Sequence, residues 1–124
     1  MIQKLIVKGR LTDLNEYTAA CRGNRYGANN LKHQNENRII SAIIEQSVKP
    51  VKQPVWLRYT WYEATRRRDH DNVAFAQKFV QDALVKAFVL EGDGWAHVTG
   101  FAHRFDVDKS NPRVEIEIIP VEKE

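Results

Sequence analysis

Residues 55–72 read VWLRYTWYEATRRRDHDN, and this stretch decides the fold. Its first half, residues 55–62, is rich in aromatic and β-branched side chains, which are typical of a central β-strand. Its second half turns polar and carries three consecutive arginines followed by two aspartates. The stretch therefore predicts a buried strand that leads directly into a charged segment at the protein surface.

Upstream of this stretch the sequence predicts one strand and two helices. Residues 2–8 indicate a strand, and Asp13 with Glu16 has the spacing of a capping box that opens a short helix toward Cys21. Residues 22–30 are polar, with two glycines and two arginines, and predict a mobile or ligand-ordered loop. Apolar residues on one face then predict a helix over residues 31–48, which Pro50 and Pro54 end.

Downstream of the stretch the sequence predicts a helix and two more strands. Asn72 is well placed to cap a helix over residues 72–87. Residues 96–107 and 113–121 predict strands, paired as a hairpin around residues 109–112. We therefore expect a single α/β (α+β) domain spanning residues 1–124, with a small mixed sheet flanked by two to three helices.

Composition excludes several classes of protein. The chain has 124 residues, of which 43% are hydrophobic and 28% charged, so it fits one soluble globular domain. Its single cysteine, Cys21, excludes an intramolecular disulfide, and we expect it to be a buried structural thiol. No apolar run approaches the roughly 18–20 residues of a membrane span, and the N-terminus does not resemble a secretory signal. These features predict a cytoplasmic protein without a membrane partner.

The charges divide sharply along the chain. Residues 1–68 hold 13 Lys/Arg against 5 Asp/Glu, a net +8, whereas residues 69–124 hold 6 against 11, a net −5. A basic half favours a polyanionic partner, since Lys and Arg contacts to phosphate supply most of the affinity for nucleic acid. The adjacent acids would repel that partner unless they hold cations. A solvated charged surface is the alternative interpretation.

Asp69 and Asp71 are candidate metal ligands. On an extended segment, residues two apart point to the same side. Two carboxylates so close need a cation, which either the preceding arginines or a divalent metal can supply. Oxygen ligands suit Mg²⁺ or Mn²⁺. The alternative is an ordinary exposed turn before a helix.

Asp93 and Lys78 also have two interpretations each. Asp93 precedes a glycine, which is typical of a tight turn. Lys78 and Asp82 are four residues apart on a predicted helix face, so they either form a surface ion pair or present Lys78 to a phosphate. The histidines lack zinc-ligand spacing, and no phosphate-binding glycine-rich loop is present, so no nucleotide cofactor is expected.

Taken together, these residues resemble the RusA family of phage and prophage Holliday-junction resolvases. The segment Arg66-Arg67-Arg68-Asp69-His70-Asp71-Asn72, then Lys78, residues 82–87 and Asp93 carry the resemblance. Residues 14–17 and 112–118 extend it more weakly. The resemblance implies a homodimeric, Mg²⁺-dependent endonuclease that nicks branched DNA, the four-way junction, in a bacterial or phage-infected cell. It places the metal ligands on Asp69, Asp71 and Asp93, and the essential lysine on Lys78.

The hypothesis is therefore that these aspartates hold Mg²⁺, with Mn²⁺ as a substitute, to activate a water for phosphodiester hydrolysis. Lys78 would stabilise charge developing on the phosphate. The expected DNA contacts are Arg22, Arg25, Tyr26, Lys32, Arg66, Arg67 and Arg68. Tyr26 either stacks on a base or anchors its loop, and the arginines of residues 66–68 grip phosphates, neutralise the acids, or both.

Three other functions remain open from the sequence. The first is a DNA-binding protein that does not cut. The second is a metal-dependent nuclease for other branched or single-stranded DNA, or a phosphohydrolase of nucleotides. The third is a small adaptor whose charges serve protein contacts.

Overall fold

The structure is a computed structural model that describes residues 1–122, except for the side chain of Arg25. It contains, in chain order, β1 Gln3–Lys8, α1 Leu14–Gly23, α2 Arg25–Glu45, β2 Val55–Glu63, α3 His70–Ala74, α4 Gln77–Lys86, β3 Val98–Val107 and β4 Arg113–Pro120. The predicted mixed α/β class is confirmed. Within the described residues, no helix has the length and apolar character needed to cross a membrane.

The four strands form one mixed sheet in the order β1-β4-β2-β3. β4 is antiparallel to both of its neighbours, whereas β2 and β3 are parallel. Parallel neighbours need a long crossover connection, and α3 and α4 form it between β2 and β3. The predicted hairpin of the last two strands is therefore wrong, because the chain passes from β3 across β2 into the middle of the sheet.

The side chains of β4 explain its central place. Its alternate apolar residues are at most 1% exposed and face the core: Val114, Ile116 and Ile118. On the other face, Lys4 Nζ of β1 lies 3.2 Å from Glu115 Oε1, and Arg58 Nη2 of β2 lies 2.7 Å from Glu117 Oε2. A position between β1 and β2 thus gives each glutamate a cation from a different neighbouring strand, and such cross-strand pairs stabilise a register.

The hydrophobic core lies between one face of the sheet and the helices. Tyr59 of β2, Ile39 of α2 and Phe79 of α4 are among its members that are at most 1% exposed. Burial of these side chains, each contributing roughly 1.5–3 kcal/mol, holds α2 and α4 against the sheet. The open face of the sheet carries the charged residues of β4 and its neighbours.

The helix boundaries differ from prediction at two places. The capping box is confirmed, with Glu16 N donating to Asp13 Oδ1 and Asp13 N to Glu16 Oε1. The predicted loop over residues 22–30 is wrong, because only Asn24 leaves the helical conformation and its side chain accepts from Tyr26 N to cap α2. The predicted helix over residues 72–87 is instead split into α3 and α4.

The outer edge of β1 is covered by α2 and the residues that follow it. Gln46 accepts a hydrogen bond from Ile6 N at 2.9 Å and donates one to Ile6 O at 2.7 Å. Arg38 donates to the carbonyl of Lys8 at 2.7 Å. These side chains take the places that a further strand would occupy.

Candidate nucleic-acid and metal site

The charged segment, residues 66–72, follows the end of β2 and lies beside the end of β3, the parallel neighbour of β2. Asp69 is the residue that precedes α3, with extended backbone angles (φ −68°, ψ 153°), and Asp71 already belongs to the first turn of that helix. Both side chains are exposed. Of the two aspartates, only Asp69 therefore has the extended backbone that was expected to point both carboxylates to the same side.

Two long-range hydrogen bonds fasten this segment to the start of α1. Arg68 Nη1 donates to Asp13 Oδ2 at 3.1 Å, and Asn15 N donates to Asn72 Oδ1 at 2.9 Å. Asn72 thus satisfies one of the free N–H groups at the start of α1. It does not begin the helix that it was predicted to cap. The aspartate pair lies between these two attachments.

The Asp13 carboxylate is the electrostatic centre of this attachment. Burial raises the pKa of Asp13, but the hydrogen bonds from Glu16 N and Arg68, with the charges of Arg68 and Arg10, outweigh burial and lower it. Arg68 also donates Nε to Glu63 Oε1 at 2.7 Å. The carboxylate therefore stays ionised and holds Arg68 in place.

The three consecutive arginines have different surroundings. Arg66 and Arg67 are exposed, and neither forms an ion pair with any residue in the range 1–122. The side chain of Arg68 is only 18% exposed and lies between two carboxylates. The structure thus leaves two arginines for a polyanion, while the third neutralises buried Asp13 and half-buried Glu63.

Lys78 and Lys32 lie on either side of one carboxylate. Lys78 Nζ is 3.7 Å from Asp82 Oδ1, and Lys32 Nζ is 3.8 Å from Asp82 Oδ2. The Lys78 side chain is 66% exposed, whereas that of Asp82 is 17% exposed. Asp82 therefore joins the predicted catalytic lysine on α4 to a predicted DNA contact on α2.

Asp93 is exposed in the turn between α4 and β3. Within the described residues, no three His, Cys, Asp or Glu side chains lie together as a group that could hold a metal ion. The structure therefore does not gather Asp93 with Asp69 and Asp71 as three ligands. Asp69 and Asp71 are the exposed carboxylates nearest in sequence to the arginines.

The junction of α1 and α2 carries the other predicted DNA contacts. Arg22 lies in the last turn of α1, and Tyr26 is 70% exposed in the first turn of α2. The side chain of Arg25 lies outside the described part of the chain. Cys21 is exposed, so the expectation of a buried thiol is wrong.

A cleft of about 310 Å³ lies between the charged segment and the end of β3. Thr65, Arg66, His70, Phe105 and Asp106 are among the residues that line it. The His70 and Phe105 rings stack with centroids 3.9 Å apart and an interplanar angle of 2°.

Neither Phe105 nor the contact of Asp13 with Arg68 was predicted from the sequence. The capping-box spacing was the one signal that pointed to Asp13.

No protein-family model matches this chain, and no curated protein matches it.

Proposed function

We propose that this protein is a Mg²⁺-dependent endonuclease that cuts four-way DNA junctions, as its resemblance to the RusA resolvases implies. One observation carries the proposal. Exposed Arg66 and Arg67 come directly before residues 68–72, a segment that carries exposed Asp69 and Asp71 and is attached at both ends to the start of α1. Cations beside carboxylates suit a phosphate substrate together with a divalent cation.

The carboxylates fit a magnesium ion. Mg²⁺ typically takes one or two protein carboxylates and keeps several waters, and Asp69 and Asp71 supply that number. Mn²⁺ accepts the same oxygen ligands. Asp93, in the turn before β3, is the third ligand that the resemblance implies, although the described residues do not group it with Asp69 and Asp71. When bound, the ion would supply the acidification of a water and the neutralisation of phosphate charge.

The basic side chains bind and orient the DNA backbone. Arg66 and Arg67 contact the phosphates next to the carboxylates. Lys32 and the α1–α2 junction, with Arg22 and Arg25, extend the phosphate contacts, and Tyr26 offers its exposed ring to an unpaired base at the crossover. Contacts of this kind lose affinity steeply as salt concentration rises.

Lys78 stabilises the negative charge that develops on the phosphate. A fixed cation aimed at that charge contributes more in the transition state than in the ground state. Asp82 lies between Lys78 and Lys32, and its ion pair with Lys78 holds the Lys78 ammonium group on the side of α4 that faces Lys32. Two such sites in a homodimer would cut the two opposed strands of a junction, because a two-fold axis relates them.

A second candidate function is DNA binding without cleavage. The observation that favours it is that no three His, Cys, Asp or Glu side chains of the described residues form a group that could hold a metal ion. In that case Arg66 and Arg67 would still grip phosphates, and the aspartates would be residues of an ordinary turn.

The decisive experiment measures cleavage of a labelled four-way junction, a linear duplex and a Y-fork, with and without Mg²⁺. The wild type is compared with Asp71→Asn and with Glu45→Gln, which makes the same chemical change on an exposed carboxylate at the end of α2. We expect paired nicks in the junction only, dependent on Mg²⁺, lost in Asp71→Asn and kept in Glu45→Gln. Tight binding without nicks in Mg²⁺ or Mn²⁺ would support the second candidate.

A further inference from the structure

The two edge strands of the sheet differ in whether their outward-facing backbone groups have hydrogen-bond partners. Side chains of Gln46 and Arg38 satisfy the backbone at the β1 edge. β3, at the other edge, pairs with β2 alone within residues 1–122. It is ten residues long and contains no proline, and its charged side chains are Arg104 and Asp106. Phe101 and Val107 of this strand are 49% and 39% exposed. The β3 edge is therefore open to another strand.

Two opposite charges on β3 lack partners. Arg104 and Asp106 are exposed and lie on the same face of the strand, and neither forms an ion pair within the described chain. Both side chains are therefore accessible to charged groups of another molecule.

A second copy of β3 supplies these charges. When two β3 strands run antiparallel with Phe105 opposite Phe105, Arg104 of each copy lies opposite Asp106 of the other. Residues directly opposite in an antiparallel pair have their Cβ atoms about 4.5–5.5 Å apart, so the charges meet. The same register sets His103 opposite Val107, which covers one of the exposed apolar side chains. Such self-complementarity is the mark of a two-fold interface.

We propose that two copies of this chain pair along β3, antiparallel and centred on Phe105, to form one continuous sheet across a two-fold axis. The inference identifies the partner surface of the proposed homodimer. Phe105 also stacks on His70, which lies between Asp69 and Asp71. The axis would thus bring both charged segments close together, a consequence for junction cutting that rests on the proposed function.

The test reverses the charges and measures molecular mass by sedimentation equilibrium, without DNA or metal. Four samples are compared with wild type: Arg104→Asp, Asp106→Arg, the double variant Arg104→Asp/Asp106→Arg, and an equimolar mixture of the two single variants. Both positions are exposed, so the fold should survive, and circular dichroism verifies this.

We expect a wild-type dimer whose association weakens about tenfold or more in each single variant, since two attractive pairs become repulsive. The double variant should recover the dimer, and the mixture should form a heterodimer, because opposite charges again face each other. A monomeric wild type, or a dimer that the single variants leave unchanged, would overturn the proposal. Neither result bears on DNA cleavage, which is measured separately, so failure of the interface and failure of the nuclease are distinguishable.

Discussion

Arg68 and Asp13 form an ion pair, with Nη1 3.1 Å from Oδ2, although 55 residues separate them along the chain. Asp13 is 4% exposed, and it also caps α1 by accepting a hydrogen bond from Glu16 N. The pair therefore couples the start of α1 to the end of β2. Whatever the charged segment binds, its position depends on this contact.

Arg68→Ala should lower the free energy of unfolding by about 3 kcal/mol, because it leaves the Asp13 and Glu63 carboxylates without their shared cation. Arg66→Ala, the matched control on the same segment, should change stability by less than about 0.5 kcal/mol. Urea unfolding measures both. Equal, small effects would show that Arg68 is a surface arginine like its neighbour.

Asn72→Ala should lower stability by about 1 kcal/mol, because Asn15 N at the start of α1 loses its acceptor. Asn72→Asp keeps an acceptor oxygen at that point and should recover most of the loss. The urea midpoints of wild type, Asn72→Ala and Asn72→Asp measure these differences in stability. If the aspartate variant is as unstable as the alanine variant, the acceptor is not what stabilises α1.

Lys78→Gln should slow cleavage on the order of 100-fold while junction affinity stays within about twofold, since the ammonium acts on charge that develops during reaction. Lys32→Gln, on the other side of Asp82, should weaken binding and leave the cleavage rate of bound DNA unchanged. Lys52→Gln is an exposed-lysine control. Single-turnover kinetics and binding titrations separate these effects. An equal loss of binding in Lys78→Gln would make it a simple phosphate contact.

His103 sits in a hydrogen-bonded chain that requires its neutral form. Trp61 Nε1 can only donate, so it fixes His103 Nδ1 as the acceptor at 2.9 Å. The other ring nitrogen, Nε2, then carries the proton and donates to Gln77 Oε1 at 2.9 Å. Burial lowers the pKa of His103 below its ordinary value of 6.5.

Stability should therefore fall as pH drops through about 6.5, because the unfolded chain takes up a proton on His103 that the folded chain resists. The loss ends once pH passes below the lowered folded pKa. His103→Asn, which does not titrate, should show a smaller loss between pH 7.5 and pH 5. Urea midpoints across this range measure the difference, in which the contributions of the other histidines cancel. Parallel curves for the two proteins would contradict the prediction.

Local patterns in the sequence predicted local structure well. The capping box of Asp13 and Glu16 and the strand predicted over residues 113–121 depend on neighbours a few positions away, and both were confirmed. The loop predicted for residues 22–30 failed because Asn24 alone, by capping α2, limits the interruption to one residue.

Long-range relationships were beyond the same reasoning. The sequence does not show that β4 lies between β1 and β2, since strand order depends on which charges and apolar faces meet across the whole chain. The contacts of Arg68 with Asp13 and of Asn72 with Asn15 likewise join residues more than 50 positions apart. The sequence singled out Asp69 and Asp71 but not the contacts that hold their segment, whereas for Lys78 it offered the ion pair with Asp82 that the structure shows.

The Gln46 amide, bonded to both backbone groups of Ile6, also limits how far a sheet of this protein can grow. A sheet whose two edge strands are both unpaired can add further subunits at either edge, and such addition ends in fibres. Here one edge is sealed by the chain itself. Within residues 1–122, β3 is the edge that no strand or side chain covers, so the proposed pairing along it would stop assembly through strands at two subunits.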